Sequence, residues 1–268
     1  MSEMEADTET MPEYLVETVD RVRILTLNRP ERRNALNFSL RRSLVDELLE
    51  AGADPEIRAV IITATGDQAF CSGADLKEMS DLDRRGIRIP SPNATAVKNI
   101  FDVILDCYKP TIAALNGTAV AGGFELALAC DIRIAVPGMS MGAPEAKIGM
   151  GANFASVVLP RRLPLGIALE MLFTGELISS EEALRWGLVN RIVPRDQLLD
   201  MAMTLASKIC ANSPISVRAM KERAMKGLEL PLPAAIRLEV GPDPYSSEDR
   251  KEGIAARLEG RKPEWKNR

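Results

Sequence analysis

The fold of this chain is constrained most by a short, continuous apolar run, "IRAVIITATG", with turn signals on both sides; "TIAALNG" follows as a short strand and "DIRIAV" as another buried strand. A half-buried strand would alternate, so a run like this suits a strand covered on both faces. Between them stand segments with apolar residues at helical spacing, such as "SLRRSLVDELLEAGADP", which stops at Gly52 and Pro55. An earlier strand, "VRILTLNRP", ends at Asn28-Arg29-Pro30. Strands alternating with helices predict an α/β fold with parallel pairing and right-handed crossovers. From Arg195 onward every segment reads as helical. The expected organisation is a polar, disordered tail over 1–11, an α/β core over 12–194, and a helical region over 195–268. Within the core, "DQAFCSGADLKEM" reads as a loop entering a helix, "SDLDRRGIRIPSPNA" as a mobile loop, and "SSEEALRWG" as a helix with a Ser180 cap and a Gly187 stop.

Composition then narrows the function. With 46% hydrophobic and 27% charged residues in 268, the chain can bury a sizeable core. The net charge of −4, with no run of Lys or Arg, argues against nucleic acid as a partner. No apolar stretch is long enough to span a membrane. The acidic start "MSEMEADTET" resembles neither a secretory signal nor a transit peptide, so a cytoplasmic protein is expected. Cys71, Cys107, Cys130 and Cys210 are widely spaced and read as reduced, buried small residues.

The sharpest exclusion is that the chain contains no His. Ser-His-Asp and Cys-His machinery and imidazole metal ligands are therefore ruled out. Proton transfer falls to other groups, with carboxylates leading. Glu125 stands in "AVAGGFELALACD", an otherwise small and apolar segment. Glu145 follows twenty residues later in "MGAPEAKIGMG". A helix, a strand and a return loop between them can bring both carboxylates to one cleft, where they can divide acid and base roles. Glu145 alone also reads as part of a surface turn. Two glycine turns, "CSGADL" and "AVAGGFEL", each precede a helix and so leave backbone N–H groups available for an anion. Each alone is equally readable as an ordinary turn or a tight helix contact.

Taken in order, "LTLNRPERRNALN", "AFCSGADLKEM", "ALNGTAVAGGFELALACD", "GAPEAKIGM" and "FTGELISSEEALRWGLVNRIVP" resemble the crotonase (enoyl-CoA hydratase/isomerase) superfamily over nearly the whole chain. The resemblance implies a spiral of ββα units with a C-terminal helical trimerisation region, assembling as a homotrimer or a homohexamer. It implies an acyl-CoA substrate, with coenzyme A entering as part of it and no separate cofactor or metal. By position, Ala74 and Gly122 match the two backbone donors of the family's oxyanion hole, and Glu125 and Glu145 match its two catalytic glutamates. Ala74, Asp75, Leu76 and Lys77 are implied to line the coenzyme A region, with Gly122 beside them. Arg29, Arg33 and Lys266 are candidates for its phosphates, though each reads equally as solvated charge. The implied reaction is reversible addition of water to a 2-enoyl-CoA. An acyl-CoA isomerase or hydrolase is an alternative within the family, and an RNA-binding protein of the same fold is one outside enzymology. The wording is especially similar to carnitinyl-CoA dehydratases. Against the family, "GMGANFASVVLPRR" replaces a glycine-rich stretch, with Asn153, Phe154 and Ser156 in place of small residues. That change puts the usual straight-chain acyl group in doubt. An aromatic cage for a trimethylammonium group would have to draw on Trp186 and Phe154.

Overall fold

The strands read at "IRAVIITATG", "TIAALNG" and "DIRIAV" lie side by side in one sheet. The computed structural model describes residues 11–89 and 98–268. The expected tail, Met11 excepted, and the end of the expected mobile loop fall outside those residues. β1 (Tyr14–Val19) and β2 (Val22–Leu27) form an antiparallel hairpin. α1 (Phe38–Ala53) leads to β3 (Ala59–Ala64), then β4 (Ala69–Cys71), α2 (Leu76–Arg84) and α3 (Ile100–Asp106). β5 (Thr111–Leu115), β6 (Thr118–Val120) and α4 (Gly122–Ala129) repeat the pattern, and β7 (Ile132–Ala135) and β8 (Ser140–Gly142) repeat it again. α5 (Ala155–Arg162), α6 (Leu165–Thr174), β9 (Ile178–Ser179), α7 (Ser180–Arg185) and β10 (Arg191–Ile192) follow. The chain ends in α8 (Leu198–Cys210), α9 (Pro214–Gly227), α10 (Leu232–Ala235) and α11 (Glu248–Glu259).

Two sheets result. The larger has the order β1-β2-β3-β5-β7-β10, parallel except at its β1–β2 edge. The smaller has the order β4-β6-β8-β9 and is parallel except for β8–β9. Each turn of the chain thus gives one strand to each sheet: β3 and β4, β5 and β6, β7 and β8. Every residue of β3 and β5 is buried, as runs without alternation require. α8 packs against β2, β3, β5 and β7 through Leu198, Ala202, Ala206 and Cys210.

Polar side chains tie the turns together. Asp131 accepts from the Thr111 amide at 2.7 Å and from Lys221 of α9 at 2.7 Å, fastening α9 to the sheet. Arg133 is buried without an acid; its guanidinium instead donates to the carbonyls of Ala127, Cys130, Asp131 and Leu188. All four cysteines are free and buried. No helix of the described residues is long and apolar enough to cross a membrane.

The structure departs from sequence expectation in its short elements. Residues 69–71, expected in a loop, form β4, and Ser80 to Arg84, expected in a mobile loop, finish α2. The helix at "SSEEALRWG" is capped by Ser179, not Ser180: its hydroxyl accepts from the Glu182 amide while Glu182 reaches back to the Ser179 amide.

The layers meet most tightly where α4 crosses β4. A Cβ on Gly123 would lie 2.1 Å from the Cys71 carbonyl oxygen. We therefore expect Gly123→Ala to lower stability by about 3 kcal/mol, the upper range for overpacking. Gly166, in α6, has open space around its Cβ position, and Gly166→Ala should be neutral or stabilising by about 0.5 kcal/mol. Urea unfolding of the two variants checks both signs.

Candidate active site

Three of the four strands of the small sheet end in a turn that carries a candidate group. β4 runs into Gly73 and Ala74, β6 into Ala121 and Gly122, and β8 into the short helical turn Glu145–Ile148. Because β4, β6 and β8 are adjacent and β4–β6 and β6–β8 are parallel, the three turns emerge at one edge.

The first two turns interlock. Gly73 has φ +88°, and a Cβ there would meet the Ala121 Cβ at 2.8 Å and the Gly122 amide nitrogen at 3.0 Å. Only glycine allows both the left-handed conformation and that approach. Ala121 itself sits at φ +52°, strained for a residue with a side chain. Its amide is anchored to the Gly142 carbonyl at 3.0 Å. On the other side, the Leu36 amide donates to Gly73 O at 2.7 Å and the Asp75 amide to Leu36 O at 3.2 Å. These bonds use the neighbours of Ala74 and Gly122 and leave their own N–H groups without a partner among the described residues. The Gly122 Cβ position is 3.8 Å from the Ala74 amide nitrogen, so two free donors stand close together. Gly122 is also the first residue of α4, where amides have no intrahelical partner and the helix dipole is positive.

Glu125 lies one turn into α4 and is buried. Its Oε1 accepts from the amides of Phe154 and Ala155, both at 2.9 Å, at the start of α5. Burial pushes its pKa up to about 7; the two amides pull the other way, and the nearby Glu145 charge raises it further. Glu145 is buried as well, and burial raises its pKa. Its Oε2 has no hydrogen-bond partner among the described residues. The structure therefore brings Glu125, Glu145, Ala74 and Gly122 to one place: two adjacent backbone donors beside two carboxyl groups held in a dry setting.

The other candidates divide. Asp75 caps α2 through the amides of Lys77 and Glu78 and pairs with Arg29 at 3.0 Å. Burial would raise its pKa, but these partners outweigh that and hold it below the usual carboxylate range. Arg29 is fully engaged, with Glu13 at 3.1 Å and the Ala35 carbonyl at 2.6 Å besides Asp75. It is a brace for the first turn. Arg33 is exposed, and its carbonyl accepts from the Ser72 amide at 3.1 Å. Leu76 and Lys77 are exposed, and Lys77 joins Arg32, Phe38 and Arg85 around a surface cleft beside Asp75. Lys266 is elsewhere. Its amide donates to Asp249, and the preceding Trp265 carbonyl accepts from Arg58, which precedes β3 at the opposite end of the sheet from Ala74. Within one chain Lys266 does not meet the other candidates. Phe154 stacks on Phe101 at 5.1 Å, whereas Trp186 ends α7 beside β9 and β10.

Sequence reading missed the amides of Phe154 and Ala155 because backbone donors leave no residue signature. The helix start after the departure "GMGANF" was the available clue. It also missed Arg41 of α1, whose charge acts on Glu125.

Comparison with known proteins agrees with this geometry. The model of the family described as enoyl-CoA hydratase/isomerase matches residues 17–268. The chain is 37% identical to the (E)-benzylidenesuccinyl-CoA hydratase of Thauera aromatica, over 94% of this chain and 98% of that protein. It is 39% identical to a carnitinyl-CoA dehydratase of Salmonella enteritidis, over 91% and 94%. Among solved structures, an enoyl-CoA hydratase from Bacillus anthracis superposes with a TM-score of 0.86 at 32% identity, covering 96% of this chain and all of that one.

The Glu125 carboxyl has a thermodynamic signature. With its pKa raised to about 7 in the folded state, from 4.5, the native state keeps a proton that the unfolded chain has lost between those values. The stability tied to that proton is fully present below pH 4.5 and lost as the pH rises through 7. Glu125→Gln cannot ionise and escapes the loss. It should gain about 2–3 kcal/mol relative to wild type at pH 8, and nothing at pH 4. Urea midpoints at the two pH values test this; an equal difference at both contradicts a burial-driven shift.

Proposed function

The chain belongs to the enoyl-CoA hydratase/isomerase family, and from that footing we propose that it adds water reversibly across the C2=C3 bond of a 2-enoyl-CoA. The observation that carries this reading is the pairing of two buried carboxyl groups with two free backbone donors at one edge of the small sheet. The family contains isomerases as well as hydratases. Two carboxyl groups of raised pKa favour hydration, because water addition needs a base for the water and an acid for carbon.

The thioester oxygen accepts from the N–H groups of Ala74 and Gly122. Glu125, held through Oε1 by two amides, keeps Oε2 for a water molecule and removes its proton. The water oxygen bonds to C3, and the π electrons move to the thioester oxygen as an enolate. That charge is what the two donors stabilise, and one such donor is worth roughly 3–4 kcal/mol in comparable sites. C2 then takes a proton from protonated Glu145, the carbonyl re-forms, and a 3-hydroxyacyl-CoA results. The cycle leaves Glu125 protonated and Glu145 ionised, and one proton exchange restores the starting state. Leu76, Lys77 and the surface cleft are read as the coenzyme A side of the site. No metal or redox cofactor enters the scheme. Assembly into trimers or hexamers is supported by exposed apolar residues beyond the sheet, among them Met220, Leu228, Leu232 and Ile236.

Crotonyl-CoA and longer 2-enoyl-CoA thioesters should lose their conjugated absorbance with the enzyme present. Glu125→Gln and Glu145→Gln should each lower kcat by about 10²–10⁴. The acid limb of the wild-type hydration profile should fall near pH 7, where Glu125 loses its proton. Full activity in both variants on the substrate turned over contradicts the assignment, and release of free coenzyme A would indicate hydrolysis instead.

A further inference from the structure

The direction of the Ala74 amide is set by bonds to the residues on either side of it. The Leu36 amide donates to the Gly73 carbonyl at 2.7 Å, and the Asp75 amide donates to the Leu36 carbonyl at 3.2 Å. Leu36 and Ala74 thereby form an isolated parallel bridge. In such a bridge the bonded groups on one side belong to the neighbours of the central residue, whose own N–H and C=O face away. Ala74 is therefore turned from Leu36 toward the Gly122 turn, whose Cβ position is 3.8 Å from its nitrogen. A bridge one residue long has only those two bonds to fix that direction.

One side chain spans the bridge. Arg29 Nη1 donates to the Ala35 carbonyl at 2.6 Å, just before Leu36, and Nη2 pairs with Asp75 at 3.0 Å, just after Ala74. Its Nε pairs with Glu13 at 3.1 Å, so each nitrogen of the guanidinium has a fixed partner. The Arg29 and Asp75 side chains are only 13% and 12% exposed, which shields the pair from solvent. Arg29 is itself held. Its amide donates to Asn34 Oδ1 at 2.9 Å, and its carbonyl accepts from the Asn34 amide at 2.8 Å. Asn34 is buried, and its Nδ2 donates to the carbonyls of Thr65 and Ala69, where β3 ends and β4 begins. Arg33 and Asn34 take φ +51° and +53°, an uncommon conformation for residues with side chains. The loop over 29–36 is thus anchored to both sheets while its arginine reaches the bridge.

We propose that Arg29 is a positioning residue for the oxyanion donor at Ala74: it clamps the Leu36–Ala74 bridge and so aims the Ala74 N–H at the thioester oxygen. The inference rests on the acyl-CoA reading above and adds to it a residue that acts only through another. A planar fork suits the task, because it reaches a carbonyl on one chain and a carboxylate on the other at once, where lysine offers a single point. A donor aimed in advance stabilises charge without reorganising, so a small loss of aim shows in the rate.

The carbonyl band of an unreactive, isotope-labelled acyl-CoA, read by difference infrared spectroscopy, tests this without any chemistry. It is compared in wild type, Arg29→Met, Arg29→Lys and Asp75→Asn. Wild type should hold the band below its solution frequency. Arg29→Met and Asp75→Asn should both move it back up, and Arg29→Lys should fall between Arg29→Met and wild type. The band comes from bound ligand alone, so a smaller folded fraction lowers its height and leaves its frequency. The two variants change charge with opposite sign. Bands moving in opposite directions would therefore mark a through-space field and overturn the proposal, as would a wild-type band in Arg29→Met. A solution-frequency band in wild type overturns the donor reading itself, and the proposal with it. In turnover, Arg29→Met should lower kcat by roughly ten- to a hundredfold with KM little changed. The same factor should appear with a pantetheine thioester, which carries no phosphate. A defect confined to KM and to the full coenzyme A thioester would make Arg29 a phosphate ligand and overturns the proposal. If no thioester is hydrated while the band shifts hold, the hydratase reading fails and the positioning role stands.

Discussion

The site depends on how closely two strand-to-helix turns can approach. Gly73 sits against Ala121 and the Gly122 amide, and Gly123 against the Cys71 carbonyl, at distances where a Cβ would not fit. Two consequences follow. The amides of Ala74 and Gly122 come together, and fixed bonds consume the adjoining amides of Asp75 and Ala121 while those two keep no partner among the described residues. The strain at Ala121 is the local cost, and the Ala121–Gly142 hydrogen bond holds it in place. Because the turns belong to different rounds of the chain, the donor pair exists only once both sheets have formed.

The same dense packing governs the electrostatics. Removing water from Glu125 and Glu145 raises both pKa values and moves Glu125 into the neutral range. The start of α5 counteracts part of that, so Glu125 can still ionise near pH 7 while staying fixed through one oxygen. Low local polarity also strengthens any charge held by the backbone donors.

Much of this was legible in the sequence, for identifiable reasons. β3 and β5 announced themselves because a strand covered on both faces must be apolar nearly throughout. Glu125 stood out because nothing else in its segment is charged, and the lack of His gave it chemical weight. The small sheet was illegible: β4, β6, β8 and β9 span two or three residues each, too few to display a period. β1 was missed because it is an edge strand with four exposed residues in its middle. Arg29 resembled a phosphate ligand because its partners Glu13 and Asp75 are distant in sequence. Arg41 was passed over for the opposite reason: in "LRRSL" it looks like the exposed Arg42 beside it, and only the fold separates them.

The central claim is that the Ala74 and Gly122 amides address the thioester oxygen. The most direct measurement is the carbonyl stretch of an unreactive, isotope-labelled acyl-CoA, read by difference infrared spectroscopy as it binds. Two backbone donors should polarise the bond and move the labelled band to lower frequency than in water, in wild type and in Glu125→Gln alike. A band at its solution frequency in the saturated complex would contradict the account.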